Sequence, residues 1–297
     1  MTTRIELSLA CGDYEIMRAL KEGTVRPDGI DLKVLTAMDS PTRHWRFLRN
    51  HDFDMAEVSC SSYIAARDRG LPFRALPVFP HRRFRHGFAY INTGKGILKP
   101  TDLIGRKVGV KFFLISAALW MRGILEHEYG VPFKSIKWFT ELDAVLHADL
   151  IKPIRENDPR VGRLFPDYKT EEMAYYKKTG VFPIMHTLGI KQEIVEKYPW
   201  VPINMFQALN ESKAVAMARM ENPRIVPLVW YREAWEEQEG MFGPDPWEYG
   251  LTERNLKTLD TLVGYSYEQG LIKRKIPMDE LFLNVSQGAR RGDEFTF

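Results

Sequence analysis

Cations and aromatic residues alternate in the segment PVFPHRRFRHGF, residues 77–88. In an extended chain, side chains alternate between two faces, so Arg83 and Arg85 would share one face and His86 would lie among phenylalanines on the other. Two guanidinium groups beside aromatic rings suit an aromatic carboxylate, because arginine forms bidentate hydrogen bonds and stacks on rings. The pattern also fits an exposed edge strand with solvated arginines. The residues alone leave both interpretations open.

Two histidines are candidate general acids or bases. His86 belongs to the aromatic face of residues 77–88, and His186 follows an apolar run in TGVFPIMHTLGI. Imidazole titrates near neutral pH, which suits proton transfer. A single histidine in apolar surroundings is more often structural. His186 is therefore a candidate only if it converges on the same cleft as His86.

Serines stand where two predicted helices begin directly after strands. Ser59, Ser61 and Ser62 follow the strand MAEV, and Ser116 follows VGVKFFLI. The free N–H groups at a helix N-terminus can bind an anion, although capping is the commoner use of serine there. In the capping interpretation, Ser61 or Ser62 caps one helix and Ser116 the other. In an open α/β sheet, ligands bind beyond the carboxyl ends of the strands, where such helices begin.

Other segments carry weaker chemical signals. DPWEYG, residues 245–250, offers Trp247 and Tyr249, which could line a pocket or hold a loop against the core. The Glu-His-Glu run at 126–128 lies on a predicted helix where adjacent residues point apart, so it is a poor metal site. The sequence has no P-loop, G-x-G-x-x-G, G-x-S-x-G or H-E-x-x-H motif.

The elements that must position these residues alternate between strand and helix. RIELSLA has the period-two pattern of a strand, and FDMAEVS and FRALPVFP are further apolar strands. SAALWMRGILEHEYG is the clearest helix, with Gly130 at its C-terminal end. Residues 191–297 are predicted to be mostly helical. The alternation favours an α/β fold with a largely parallel sheet.

Composition excludes several classes of protein. The chain has 297 residues with 42 basic and 39 acidic side chains, and a net charge of +3 does not favour nucleic acid as a partner. Cys11 and Cys60 cannot form a disulfide framework. The N-terminus lacks the features of a secretory signal, and no apolar run approaches the roughly 20 residues that span a bilayer. These features predict a soluble cytoplasmic protein with no membrane partner.

Nine segments together resemble the 4,5-dihydroxyphthalate decarboxylase family over most of the chain. They are RPDGIDL, FDMAEVSCSSYIAARDRGLPF, PVFPHRRFRHGFAYIN, DLIGRKVGV, AALWMRGILEHEYGV, VGRLFPDY, KKTGVFPIMHTLGI, DPWEYGL and EQGLIKRK. The resemblance implies the type II periplasmic-binding-protein-like α/β fold, used here by a cytoplasmic enzyme. It implies two lobes around a cleft, joined by crossover strands near 86–92 and 184–192.

The same resemblance predicts the domain boundaries. Lobe one would comprise 1–89 plus 190–297, and lobe two 90–189. Lobe two would be smaller and shortened near residue 140. The helices that begin at Ser59 and Ser116 would face each other across the cleft.

The cleft loops depart from the family pattern. Residues 14–17 are Tyr-Glu-Ile-Met where the family tends to have Tyr-Asp-Arg-Thr, and residues 111–116 are KFFLIS where it tends to have Pro-Glu-Tyr-Gln-Met-Thr. Tyr14, Phe112 and Phe113 would then contact the substrate. These loops are more apolar than the family pattern, so a larger or less polar aromatic acid is one hypothesis.

The implied reaction is decarboxylation of a hydroxylated aromatic acid resembling dihydroxyphthalate. Direct loss of CO2 would leave an unstable aryl carbanion, whereas a hydroxyl ortho or para to the carboxylate allows the ring carbon to be protonated first. We assign His86 as the leading acid and His186 as a second acid or base. Arg83, Arg85, Trp247 and the cleft serines would bind the substrate. No organic cofactor is implied, while a divalent metal and a homo-oligomer stay open.

Two alternatives use the same scaffold. The first is a non-catalytic protein that binds small aromatic acids, because this fold is most often a receptor. The second is a lyase or dehydratase acting on a cyclic carboxylic acid. Release of CO2 from hydroxylated aromatic acids would separate the decarboxylase from both.

Overall fold

Two mixed β-sheets form the centre of the protein. The computed structural model describes residues 4–138 and 143–285. Within that part of the chain, the first sheet has five strands, which are β1 (Ile5–Ala10), β2 (Ile30–Leu35), β3 (Met55–Ser59), β4 (Phe73–Leu76) and β10 (His186–Lys191). The second sheet also has five strands there, which are β5 (Ala89–Asn92), β6 (Lys107–Val110), β7 (Lys137–Trp138), β8 (Ala144–Leu146) and β9 (Val161–Arg163).

The first sheet has the strand order β2-β1-β3-β10-β4. Strand β1 pairs in parallel with β2 and β3, while β10 runs antiparallel to β3 and β4. All five residues of β3 are buried, as expected for a central strand covered on both faces. The antiparallel register places His186 opposite Ser59. Residues from distant parts of the sequence thus meet at the carboxyl end of the central strand β3.

The second sheet repeats this plan with the order β7-β6-β8-β5-β9. Strand β6 is parallel to β7 and β8, and β5 is antiparallel to β8 and β9. We call the parts of the chain built on the two sheets the first and second lobe. In each lobe, one antiparallel strand is inserted beside parallel ones.

The chain crosses between the lobes twice. It leaves the first sheet after β4 and enters the second at β5, and it returns between β9 and β10. This agrees with the predicted fold of two lobes and two crossovers. The boundaries at 89 and 190 stay predictions, and β10 begins at His186, before the second of them. The predicted shortening near 140 falls on residues 139–142, which lie outside the described residues.

Helices cover both sheets. They are α1 (Arg18–Lys21), α2 (Ser40–Trp45), α3 (Cys60–Asp68), α4 (Ser116–Tyr129), α5 (Lys152–Arg155), α6 (Tyr168–Thr179), α7 (Gln192–Lys197), α8 (Val201–Met220), α9 (Tyr231–Phe242), α10 (Glu253–Glu268) and α11 (Met278–Leu281). The prediction that the chain after 191 is mostly helical is confirmed for the residues described up to 285. No helix of the described ranges combines the length and apolar character needed to cross a membrane.

Helix α4 contacts the return crossover, the segment between β9 and β10. Its indole Trp120 is fully buried, and Nε1 donates a hydrogen bond of 2.9 Å to the carbonyl of Ile184. Gly130 ends the helix at φ 66°, the left-handed conformation that glycine adopts without steric cost. The prediction that Gly130 terminates this helix is confirmed.

Two local predictions are wrong. Helix α3 begins at Cys60 with Ser59 at the N-cap position, and α4 begins at Ser116 with Ile115 before it, so neither Ser61, Ser62 nor Ser116 is an N-cap. Residues 77–88 do not form a regular strand. They contain one isolated bridge, between Arg82 and Ile184, and then a 3₁₀ turn over His86–Phe88. The predicted alternation of two faces therefore breaks down before His86.

Candidate active site

A fully buried carboxylate lies in the centre of the first sheet. Glu57 on β3 accepts four hydrogen bonds, from the backbone N–H of Gly12 at 2.7 Å, the hydroxyl of Tyr14 at 2.7 Å, the guanidinium of Arg43 at 2.6 Å and Nδ1 of His186 at 2.5 Å. Burying an unpaired charge is costly, so a carboxylate in this position needs such partners. The four donors come from the loop after β1, from α2 and from β10. We call Glu57 and these four donors the Glu57 cluster.

The strand order explains how these donors converge. Strand β3 lies between β1 and β10, so the loop after β1 and the first residue of β10 flank its carboxyl end. In that loop, a Cβ at Gly12 would lie 2.5 Å from the ring of Tyr14. Glycine at position 12 therefore allows the Tyr14 ring to lie against the backbone and its hydroxyl to reach Glu57. Arg43 reaches the same carboxylate from α2.

Electrostatics fix the protonation states around Glu57. Burial favours the neutral acid, but the charge and hydrogen bond of His186 and the charge of Arg43 outweigh it and hold the pKa of Glu57 below its usual range. Burial and the adjacent carboxylate raise the pKa of Tyr14, so its hydroxyl stays a donor. Burial raises the pKa of Cys11 to about 12, so this thiol is protonated at neutral pH.

Three imidazoles stand together beside this carboxylate. The rings of His44 and His81 each lie 4.8 Å from the ring of His186, both edge to face. Because Nδ1 of His186 bonds to Glu57, Nε2 is the nitrogen left for a ligand, and the side chain is 13% exposed. Burial, with the charges of His186 and Arg85, lowers the pKa of His81 to about 2, and burial also lowers the pKa of His44. His44 and His81 are therefore neutral.

The serines at the two helix starts touch each other across the lobes. Oγ of Ser59 lies 3.0 Å from Oγ of Ser116, which also accepts from the backbone N–H of Ser61 at 3.0 Å. The backbone N–H of Ser116 donates to Ser59 at 3.2 Å, and the Ser61 hydroxyl donates to the carbonyl of Leu114 at 2.6 Å. One backbone donor at the start of each helix is thus satisfied by the opposite lobe. We call Ser59, Ser61 and Ser116 the serine cluster.

Comparison with known proteins identifies the family. The chain is 31% identical to the 4,5-dihydroxyphthalate decarboxylase of Comamonas testosteroni, in an alignment that covers 94% of this chain and 97% of that protein. The chain belongs to the 4,5-dihydroxyphthalate decarboxylase family. It is also 36% identical over 136 residues to the Pseudomonas putida protein of the same name, which covers 46% of this chain and 52% of that one. No family model matches the chain.

Solved structures show the fold. The periplasmic aliphatic sulphonate binding protein SsuA from Escherichia coli matches with a TM-score of 0.59 and 14% identity, over 98% of this chain and 96% of that chain. The sulfonate-binding SsuA from Methylobacillus flagellatus matches with a TM-score of 0.61 and 11% identity, over 95% and 92%. The predicted periplasmic-binding-protein fold is confirmed, as are the decarboxylase family and its carboxy-lyase class. The cytoplasmic location stays a prediction.

The two predicted catalytic histidines lie in different surroundings. His186 belongs to the Glu57 cluster, whereas His86 is buried in the second lobe between the rings of Tyr129, Phe165 and Tyr175. Neither ring nitrogen of His86 has a hydrogen-bond partner among the described residues, and burial lowers its pKa to about 4. The structure does not bring His86 into contact with His186. The histidine of residues 77–88 that contacts His186 is His81.

The two arginines predicted to anchor the substrate lie apart from the Glu57 cluster. Arg83 is exposed over the ring of Phe88, while Arg85 is buried and donates to the Ala148 carbonyl at 2.8 Å. Burial lowers the pKa of Arg85 to about 9. Neither guanidinium contacts the Glu57 cluster, so their anchoring role stays a prediction.

The aromatic residues predicted to contact the substrate lie on the periphery of the candidate active site. Phe112 and Phe113 are 46% and 37% exposed on the loop before α4. Trp247 contacts the ring of Phe182 and lines a cavity that also includes Tyr14. The Ser62 hydroxyl forms no hydrogen bond to any residue of the described ranges. Within those ranges, no three histidine, cysteine or acidic side chains are arranged to hold a metal ion.

Sequence reasoning missed Glu57, Arg43, His44 and the role of His81. One signal was available for Glu57: it is a charged residue inside the otherwise apolar run MAEVS, and such a residue requires partners if the strand is buried. Arg43 and His44 carried no comparable signal, because α2 is short and its sequence is polar.

Proposed function

We propose that the protein decarboxylates a hydroxylated aromatic carboxylic acid of the dihydroxyphthalate type. The observation that supports this most directly is the pair of Glu57 and His186, in which a buried carboxylate orients an imidazole and leaves Nε2 for proton transfer. Ser59, opposite His186 in the sheet, stands at the start of α3, and a helix N-terminus can bind an anion. Family membership supplies the class of reaction.

Protonation of the ring is the step assigned to His186. Its imidazolium form would donate the Nε2 proton to the ring carbon that carries the carboxylate, with electron density supplied by a para hydroxyl. The bond to the carboxylate would then break, CO2 would leave, and its electron pair would restore the aromatic ring. Glu57 stabilises the imidazolium before transfer, because it is ionised and hydrogen-bonded to the other nitrogen.

A neutral hydrogen-bond acceptor is required at the phenolic hydroxyl, and His81 is the proposed one. Its ring lies 4.8 Å from that of His186, so the two side chains can contact opposite ends of one aromatic ring, the carbon that carries the carboxylate and the para hydroxyl. Its lowered pKa keeps the lone pair available over the ordinary pH range. An accepted hydrogen bond raises the electron density of the hydroxyl oxygen and thereby of the ring.

The serine cluster is the proposed carboxylate site. The hydroxyls of Ser59 and Ser116 lie close to the backbone N–H groups of Ser61 and Ser116. The partial positive charge of two helix N-termini adds to these donors. In this structure these groups bond to each other across the lobes. A substrate carboxylate would replace those bonds, so binding requires the lobes to separate and close again. Phe112 and Phe113 on the adjoining loop would then help to exclude water.

The experiment is to incubate the purified protein with 4,5-dihydroxyphthalate and to measure CO2 and the monoacid product. Phthalate is the matched control, because it has both carboxylates and lacks the hydroxyl groups that permit ring protonation. We expect CO2 from the first compound only, with one solvent deuterium in the product when the reaction is run in D2O. Larger hydroxylated aromatic acids test whether the apolar cleft loops change the preference.

Two results would contradict the proposal. Turnover of phthalate at a similar rate would exclude the requirement for a hydroxyl group, and with it the ring-protonation route. Loss of water from a cyclic carboxylic acid without CO2 would instead favour a dehydratase. Both outcomes are visible in the mass of the product.

A further inference from the structure

Tyr14 also forms part of the wall of a cavity with a volume of about 520 Å³ in the first lobe. The remaining walls come from the end of α8, from α9 and from the loop before α10. Half of the lining residues are aromatic or methionine, and these are Tyr14, Met217, Met220, Tyr231, Trp235 and Trp247. The volume is within the range of about 300–1,000 Å³ found for small-molecule sites.

The charges around this cavity do not favour an anion. Among the described residues of its wall, the charged side chains are two acids, Asp13 and Glu15. Asp13 pairs with Lys21 at 2.7 Å, and Glu15 pairs with Arg219 at 2.9 Å, so both carboxylates are neutralised by cations that do not line the cavity. A carboxylate ligand would find no cationic side chain among the wall residues that the structure describes.

The polar groups left for a ligand are uncharged. Gln238 on α9 is half-buried in the wall, and its amide forms no hydrogen bond to any residue in the described ranges. The indole N–H of Trp247 is likewise without a hydrogen-bond partner there. The Tyr231 hydroxyl already donates to the Met220 carbonyl at 2.9 Å. The indole N–H of Trp235 in the same wall is also without a partner among the described residues. One amide and two indole donors beside aromatic faces match a ring that carries a hydroxyl group or a nitrogen.

We propose that this cavity is a second ligand site, which binds a neutral aromatic compound of one or two rings. Methionine side chains are flexible and make favourable contacts with rings, so Met217 and Met220 can adjust to the ligand. The site differs from the serine cluster in the charge of its ligand. Binding at this site does not depend on the proposed function, whereas the expected effect of binding on turnover does.

Tyr14 gives this site a route to the reaction centre. Its ring lines the cavity and its hydroxyl donates to Glu57, which orients His186. A ligand against the ring would restrict Tyr14 in the position that holds Glu57. Occupancy is therefore expected to change kcat or the pH profile of turnover more than the affinity for a diacid.

The test is calorimetric titration of the full chain with indole and phenol, with benzoate as the charged control. Phthalate is added at saturation in a parallel series. We expect saturable binding of indole and phenol with and without phthalate, and binding of benzoate at least tenfold weaker. The indole N–H resonance of Trp247, assigned with Trp247→Phe, should shift as indole is added.

A blocking variant tests whether the ligand binds in the cavity. Ala234→Trp adds a large ring at an exposed wall position of α9, and Glu233→Trp adds the same ring at a neighbouring exposed position outside the wall. Ala234→Trp should weaken indole binding at least tenfold, and Glu233→Trp should leave it unchanged. Absence of saturable indole and phenol binding, displacement of indole by phthalate, or equal affinity in Ala234→Trp would each overturn the proposal. Failure to release CO2 would contradict only the proposed function.

Discussion

Nδ1 of His186 lies 2.5 Å from Oε1 of Glu57, although the two residues are 129 positions apart in the sequence. The antiparallel pairing of β10 with β3 creates this contact, because it places the first residue of β10 next to the end of the central strand. A carboxylate that accepts from one imidazole nitrogen fixes the tautomer and directs the other nitrogen to a ligand. The pairing of β10 with β3 thus positions the two residues that the proposed chemistry uses.

Replacing His186 tests the proposed proton transfer. His186→Gln keeps a hydrogen-bond donor to Glu57 but removes the titratable nitrogen. We expect kcat to fall by about 10²- to 10⁴-fold, the usual contribution of a positioned general acid, while KM changes less. Steady-state measurement of CO2 release from 4,5-dihydroxyphthalate gives both constants.

His127→Gln is the matched control for this variant. His127 is exposed on α4 and pairs with Glu268 at 2.7 Å, so its replacement should leave kcat unchanged. Circular dichroism establishes that both variants are folded. Retention of kcat within tenfold in His186→Gln would remove this residue from the proton-transfer step.

The buried pair of Arg43 and Glu57 predicts a large stability effect. Both side chains are almost fully buried, and Nη2 of Arg43 lies 2.6 Å from Oε2 of Glu57. Removal of one partner leaves a buried charge unpaired, so Glu57→Gln should lower the free energy of unfolding by about 3–5 kcal/mol. Urea denaturation at pH 7 measures this change. The double variant with Arg43→Met should recover part of the loss, and additive losses would exclude the coupling.

The same carboxylate predicts a pH dependence. Its folded-state pKa lies below the ordinary value of 4.5, so the unfolded chain binds its proton more readily than the folded chain. The stabilisation by Glu57 is therefore complete above about pH 4.5 and is lost as the pH falls towards the folded-state pKa. Urea denaturation between pH 7 and 3 should show a smaller acid loss in Glu57→Gln than in the wild type. Parallel curves for the two proteins would contradict this assignment.

Much of the fold could be predicted from the sequence, whereas much of the candidate site could not. Alternating strands and helices indicate an α/β fold locally, and the long family segments imply the two crossovers. The Glu57 cluster depends on contacts between residues far apart in the sequence, which no local pattern encodes. Residues 77–88 were misinterpreted for a related reason. Period-two alternation holds only in a regular strand, and the 3₁₀ turn at His86–Phe88 rotates His86 into the second lobe.

The serine cluster predicts an effect on substrate affinity. Ser116→Ala removes a hydroxyl that bonds to Ser59 and accepts from the N–H of Ser61. If these groups bind the substrate carboxylate, KM for 4,5-dihydroxyphthalate should rise roughly tenfold, as expected when a hydrogen bond to a charged group of about 1.5 kcal/mol is lost. Ser62→Ala, on the same helix as Ser61, is the matched control and should leave KM unchanged. Equal KM values in both variants would exclude the serine cluster as the anchor.

The surroundings of His86 indicate that its burial lowers the stability of the protein and that it does not take part in the reaction. Its side chain is fully buried, and Nδ1 lies 4.0 Å from a carboxylate oxygen of Glu172, beyond hydrogen-bond distance. Burial raises the pKa of Glu172 to about 7, so this acid is partly protonated near neutral pH. The rings of Tyr129, Phe165 and Tyr175 complete the surroundings. An apolar ring would fit these neighbours better than an imidazole.

His86→Phe should therefore stabilise the protein and leave kcat unchanged. A buried polar group without a partner costs about 1–3 kcal/mol, and urea denaturation at pH 7 should show a gain of that order. Because the pKa of His86 falls from 6.5 to about 4 on folding, the wild type should lose stability as the pH drops through that interval, and the variant should lose less. A folded variant with strongly reduced kcat would instead restore His86 as the acid, in agreement with the sequence-based prediction.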